Sequence, residues 1–90
     1  MEIKKGTNTF FIGENEENPV AEIHYVESKS GTLNVDHTFV SKEYSGQGIG
    51  SKLVDKVAEY AREKDKKIYP SCDYARSKME NNMDYQDVLV

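Results

Sequence analysis

Three of the chain's six glycines fall within Ser45-Gly46-Gln47-Gly48-Ile49-Gly50-Ser51, between a β-like run and a strongly helical one. Glycine has no Cβ, so it takes positive φ and lets a ligand come close to the main chain, as a compact anion-binding turn requires. The helix that follows supplies charge. Its first turn leaves amide N–H groups without intrahelical partners, and the aligned peptide dipoles put roughly half a positive charge at that end. A diphosphate suits such a place. Spacing excludes two other phosphate motifs. A P-loop needs Gly-Lys-Ser/Thr four residues beyond its first glycine, and here Ser51-Lys52 stands there. A dinucleotide fingerprint opens a βαβ unit, whereas these glycines follow a mainly β half with no earlier crossover helix. A plain sharp turn into a helix also uses glycine, so the spacing alone does not carry the assignment. The remaining reactive side chains are few: one cysteine, Cys72, and two histidines, His24 and His37. A lone cysteine makes no intramolecular disulfide, and without His or Cys partners at ligand spacing it makes no zinc site, so no metal is expected.

Ninety residues form one domain with room for a single core and none for a separate substrate domain. Hydrophobic residues at 37% and charged ones at 31%, with both signs interspersed, describe a globular protein and exclude disorder. The net charge of −4 argues against nucleic-acid binding, whose footprint is a basic patch. It also leaves a polyanionic ligand dependent on main-chain donors and a few lysines. The unpaired cysteine fits a reducing cytoplasm. The start, Met1-Glu2-Ile3-Lys4-Lys5-Gly6, lacks the apolar core of a signal peptide, and no run approaches the roughly 18 apolar residues that span a bilayer. There is no internal repeat or low-complexity linker.

These residues need a scaffold, and the pattern supplies one. Phe10-Phe11-Ile12 predicts a strand ending at Gly13, followed by an exposed acidic connection, Glu14 to Pro19. From Val20 to Glu27 the alternation puts Ala21, Ile23 and Tyr25 on one face and Glu22, His24 and Val26 on the other. Ser28-Lys29-Ser30-Gly31 predicts a hairpin turn. In the longer strand from Thr32 to Val40, parity groups Leu33, Val35, His37 and Phe39 against Asn34, Asp36, Thr38 and Val40. Past the glycines, Ile49, Leu53, Val57 and Ala61, flanked by Val54 and Ala58, make the apolar stripe of a helix running to about Lys64. Lys52 and Lys56 near its start either face solvent or help to neutralise phosphate. Lys67-Ile68-Tyr69-Pro70 is a short strand. Asp73 is expected to cap a last helix from Tyr74 to about Asn82, and the tail from Tyr85 to Val90 is apolar enough to dock.

With its glycine turn the chain resembles the GNAT acetyltransferase superfamily. That superfamily's signature, Gln/Arg-x-x-Gly-x-Gly/Ala before a helix, is matched by Gly46-Gln47-Gly48-Ile49-Gly50, with Ser45 departing from the usual Arg or Gln. A closer resemblance is to its minimal single-domain branch, through Asp36-His37-Thr38-Phe39-Val40, Gly46 to Leu53, Tyr69-Pro70-Ser71-Cys72 and Asp84-Tyr85. The resemblance implies an α+β fold over residues 1–90. A mostly antiparallel sheet would carry one long helix after the glycine turn and a short C-terminal one. It further implies acetyl-CoA as co-substrate. The strand ending at Phe39 and Val40 would pair with the pantetheine arm. The turn from Ser45 and Gly46 through Gln47, Gly48, Ile49, Gly50 and Ser51 would hold the pyrophosphate. The thioester would lie where the long strand and the Ile68 strand splay apart.

Acetyl transfer to an amine needs a deprotonated amine, a stabilised oxyanion and a fate for the thiolate. His37, on the long strand near the expected acetyl end, is the better candidate for general base, although its parity equally makes it a core histidine. His24 is read as strand surface, and Asp36 and Glu22 rank lower. Cys72, just past the strand that would border the thioester, is either a nucleophile that relays the acetyl group or a small buried residue. Tyr74 would protonate the leaving thiolate, as a tyrosine does in many members of the superfamily, or simply pack. Lys78, one helical turn on, would reach phosphate or adenine, or face solvent. The implied activity is N-acetyl transfer to a small-molecule amine or a lysine. A module that binds CoA without efficient turnover is the main rival, and an interaction protein with a merely structural turn is a third class. Nucleic acid and membrane are not expected partners, and the oligomeric state is expected to be monomer or weak dimer.

Overall fold

Two runs of alternating polarity on either side of a tight turn seed the sheet. In the computed structural model, which describes residues 2–90, the elements are β1 (Lys4–Gly6), β2 (Thr9–Ile12), β3 (Ala21–Glu27), β4 (Thr32–Val40), α1 (Ile49–Glu63), β5 (Lys67–Pro70) and α2 (Asp73–Met79). The sheet runs β1-β2-β3-β4-β5. The first four strands pair antiparallel, and β5 pairs parallel to β4. A parallel neighbour demands a crossover, and α1 provides it. The hairpin at Ser28–Gly31 closes as expected. The Ser28 N–H donates to the Thr32 carbonyl at 2.8 Å and the Gly31 N–H to the Ser28 carbonyl at 3.1 Å.

Both helices cover one face. Ala21, Ile23 and Tyr25 of β3 and Leu33 and Val35 of β4 meet the α1 stripe of Leu53, Val54, Val57, Ala58 and Ala61, and Ala75 and Met79 of α2 join the same cluster. Leu33, Leu53 and Ile68 are fully buried, and each such side chain contributes about 1.5–3 kcal/mol through removal from water. The other face is open along the β3, β4 and β5 side, with Val26 47%, Phe39 40% and Tyr69 47% exposed, whereas Thr9 and Phe11 of β2 are buried on it. The tail docks. Ile68 donates to Val88 at 2.6 Å and accepts from Val90 at 3.1 Å. Arg62 grips Asp87 at 2.8 and 3.0 Å.

One strand was not foreseen and two local expectations are corrected. Lys4–Gly6 forms a strand that its sequence, with no apolar alternation, does not announce. The last helix spans Asp73–Met79, and its cap is Cys72, whose sulfur accepts from the Ala75 N–H, with Asp73 in the first turn. The second correction concerns β4. Tyr25 pairs with Val35 and His24 with His37, so Asp36 is an extra residue in the ladder. A bulge reverses the facing of everything beyond it. Leu33 and Val35 stay in the core, but His37 and Phe39 turn to the open face, which removes the core-histidine reading. Thr38 and Val40 turn towards the helices, paired with the core residues Ile23 and Ala21.

Candidate functional site

After β4 the chain makes a 3-10 turn at Lys42–Tyr44 and then enters the glycines. The Ser45 hydroxyl donates to the Lys42 carbonyl at 3.0 Å, so this side chain serves its own turn. Gly46 and Gly48 adopt φ of +80° and +76°, the left-handed region that L side chains rarely take. A Cβ built on either would meet nothing within 4 Å, so the space before them is open. Gly48 is the N-cap of α1 and offers no side-chain cap. The first helical bond runs from the Lys52 N–H to the Gly48 carbonyl at 3.2 Å. Among the described residues, none accepts a hydrogen bond from the amides of Gln47 to Ser51. The first turn of α1 holds no acidic residue. This is a concentration of free donors at a helix N-terminus, suited to an anion.

Gly50 differs in kind. A Cβ there would stand 2.7 Å from Cζ and 2.9 Å from Cε2 of Tyr74, so this glycine lets the start of α2 close over the first turn of α1. Ile49 is 5% exposed and its side chain belongs to the core, leaving only its amide for a ligand.

From the turn, β4 leads back to a fork. Its parallel pairing with β5 runs from Thr32↔Lys67 to Val35↔Pro70 and stops. There the Val35 carbonyl accepts from the amides of Ser71 at 3.0 Å and Cys72 at 3.1 Å, which turns the chain away into α2. Beyond this point β4 continues to Val40 with no strand on that side among the described residues. The unpaired edge can take an extended molecule as an added strand.

The fork joins some of the expected residues and separates others. On the helix side, Cys72 Sγ accepts from the Ala75 N–H at 3.3 Å and lies 3.4 Å from Oγ1 of Thr38. Tyr74 is 41% exposed and touches Gly50, tying α2 to the glycine turn. His37 stands on the opposite, open face, with Phe39. Two features escape the sequence reading. Thr38 reaches Cys72 only because of the bulge. On the open face, Nδ1 of His24 lies 2.7 Å from Oδ1 of Asp36, a pairing that only the shifted register creates. A concavity of about 610 Å³ lies elsewhere, beyond β5 between Tyr69, Arg76 and Leu89. Among the described residues no group of three His, Cys, Asp or Glu side chains could hold a metal ion, and no helix is long and apolar enough to cross a membrane.

Known proteins share this fold. The family model for the GCN5-related N-acetyl-transferase matches residues 9–88. The solution structure of a GCN5-like protein from Staphylococcus aureus is 47% identical, with a TM-score of 0.84 over 99% of this chain and 87% of that one. The crystal structure of an acetyltransferase of the GNAT family from Staphylococcus aureus Mu50 is 28% identical, with a TM-score of 0.58 over 69% of this chain and 40% of its own. The mixed five-strand sheet carrying two helices is therefore a GNAT fold in the α+β class, and the chain belongs to the GCN5-related N-acetyltransferase family.

Proposed function

We propose that the protein transfers an acetyl group from acetyl-CoA to an amine of a small molecule or a lysine. The observation that carries this reading is the unpaired edge of β4, which leads from the fork, by way of the 3-10 turn at Lys42–Tyr44, to the free amides of the glycine turn. That sequence of features, a gap, then an edge of main-chain donors and acceptors, then an anion site, matches a thioester, a pantetheine arm and a diphosphate in order. On this reading, Phe39 and Val40 pair with pantetheine. The amides of Gln47, Gly48, Ile49, Gly50 and Ser51 bind the pyrophosphate, and Ser45 and Gly46 shape the turn.

At the fork, the amine attacks the acetyl carbon and loses a proton, and the C–S bond then breaks. Tyr74 on the helix side is suited to return a proton to the departing thiolate. Cys72 either lines this side or carries the acetyl group in passing, with its sulfur exchanging for that of CoA. The amine arrives from the open face, where His37 stands. The same open face, with Val26, Phe39 and Tyr69 exposed, favours a second reading: a module that holds acetyl-CoA or CoA with little turnover, because among the described residues no helix covers that face.

Adding acetyl-CoA, CoA or ATP to labelled protein separates these readings from a structural turn. The amides of Gln47 to Ser51 should shift with the first two and stay still with ATP; no shift with any of them would leave only the structural turn. Release of free thiol in the presence of a pool of amines then identifies a transferase, and binding without release identifies the module.

A further inference from the structure

We infer that His24, oriented by Asp36, is the group that takes the proton from the acceptor amine. The inference rests on the acetyl-transfer reading above and adds a residue to it. Both helices lie on the face that carries Cys72 and Thr38, so the amine reaches the fork from the other side. The first side chains it meets on β4 are those at the bulge, Asp36 and His37. Directly across the ladder from His37 stands His24 on β3, one strand spacing away, about 4.8 Å. A nitrogen poised over the bulge is therefore within reach of either imidazole.

Only one of the two rings is oriented. Nδ1 of His24 and Oδ1 of Asp36 are 2.7 Å apart, with the two side chains each 39% exposed. A carboxylate, when ionised, only accepts hydrogen bonds, so in the neutral form of His24 this contact puts the proton on Nδ1 and the lone pair on Nε2. A base held in one tautomer by a third group is the arrangement proton abstraction uses. Among the described residues His37 has no such partner. Other ionisable groups on this face among the described residues include Glu22 on its own strand and Glu16, whose carboxylate lies beside the side chain of Thr9, the β2 residue paired with His24; β2 itself presents Thr9 and Phe11 there. The bulge makes the pair, because the extra residue is Asp36 itself, and it adds a carboxylate to the face on which both histidines stand.

In the step assigned here, the amine nitrogen forms its bond to the acetyl carbon and its proton passes to Nε2 of His24. The tetrahedral adduct then collapses with loss of the CoA thiolate. The imidazolium is stabilised meanwhile by Asp36 and gives its proton to water after product leaves. Direct attack of this kind requires no acetyl group on Cys72, which lies on the other face of the sheet.

The test uses the full chain, acetyl-CoA, and tyramine and Nα-blocked lysine as probe amines, with thiol release followed against pH. His24→Ala should lose on the order of 100-fold in kcat/KM. It should keep its acetyl-CoA affinity and flatten the acidic limb of the profile, and added imidazole should restore part of the rate. Asp36→Asn should fall between this variant and the wild type. A His24→Ala rate within about threefold of wild type, or a large loss that imidazole does not restore, overturns the assignment. So does loss and rescue in His37→Ala with His24→Ala unaffected, which transfers the role to His37. If the wild type releases no thiol with either amine, the acetyl-transfer reading fails along with this one. Shifts of the glycine-turn amides on adding acetyl-CoA would then uphold the binding module alone.

Discussion

Cys72 Sγ stands 3.4 Å from Oγ1 of Thr38, although strict alternation along β4 would put Thr38 on the opposite face. One extra residue, Asp36, makes the difference. It reverses β4 halfway along, so the first half of the strand builds core and the second half builds the fork. The same reversal separates the sulfur side of the fork from its histidine side, and the two can then be altered independently.

Cys72 has a structural task that must be separated from any chemical one. Its sulfur caps α2 by accepting the Ala75 N–H at 3.3 Å. Cys72→Ala should therefore cost about 1 kcal/mol in denaturant unfolding, as loss of an N-cap does. Cys72→Ser should restore that stability, because a hydroxyl caps well. Equal stability of the two variants would deny the cap. With the fold thus held in Cys72→Ser, a quenched reaction read by mass spectrometry decides the route. An acetylated Cys72 in the wild type, with transfer lost in Cys72→Ser, marks a relay, and transfer that survives marks direct attack.

Gly48 should separate binding from folding. A Cβ there meets no protein atom within 4 Å, so Gly48→Val introduces no clash, only the strain of φ +76°, on the order of 1–3 kcal/mol. The methyl groups would occupy the space in front of the free amides. The variant should keep its circular dichroism and lose CoA binding. Unchanged affinity in a calorimetric titration would mean that the diphosphate lies somewhere else.

Much of the fold was legible because it is written in periodicities. The β3 alternation of Ala21, Ile23 and Tyr25 and the α1 stripe through Leu53, Val57 and Ala61 hold as read, and each depends on one face of one element. The glycine turn was legible from composition. What could not be read depends on pairing between strands. The Asp36 bulge leaves no mark in its own strand, since Asp36-His37-Thr38 fits either facing, and only the register against His24 and Tyr25 reveals it. The His24–Asp36 contact follows from that register, so His24 looked like plain surface. Lys4–Gly6 was missed for a related reason. An edge strand of Lys-Lys-Gly is held by main-chain bonds to β2 and has little apolar signal of its own.

The docked tail should have an alkaline weak point. Tyr85 is 7% exposed and its hydroxyl donates to the Asp55 carboxylate. Burial first, and then that carboxylate, push its pKa up to about 12. Below the ordinary value of 10.0 the phenol is neutral in folded and unfolded chains alike, and the contribution to stability is complete. Above it the unfolded chain ionises first, so stability falls until the folded phenol titrates as well. The gap from 10.0 to about 12 corresponds to roughly 2–3 kcal/mol lost across that window. Lysines titrate there too, so the measurement is the difference from Tyr85→Phe, which should be less stable near neutrality and lose less from pH 10 to 12. Parallel stability curves for the two proteins would show that Tyr85 carries none of the dependence.

Gly50 and Tyr74 should behave as one unit. Alanine is normally the better helix former by about 1 kcal/mol, so Gly50→Ala in α1 would ordinarily stabilise. Here its Cβ would stand 2.7 Å from Cζ of Tyr74, so the end of that side chain must move aside, and the gain should be largely offset. Tyr74→Ala alone should cost little, because the residue is 41% exposed. In the Tyr74→Ala background the obstruction is gone and Gly50→Ala should stabilise by up to about 1 kcal/mol. That non-additivity in a double-mutant cycle is the signature of direct contact. Additive effects would mean that the two residues do not meet in solution, and Tyr74 would then be free of the glycine turn that the proposed proton donor must stand beside.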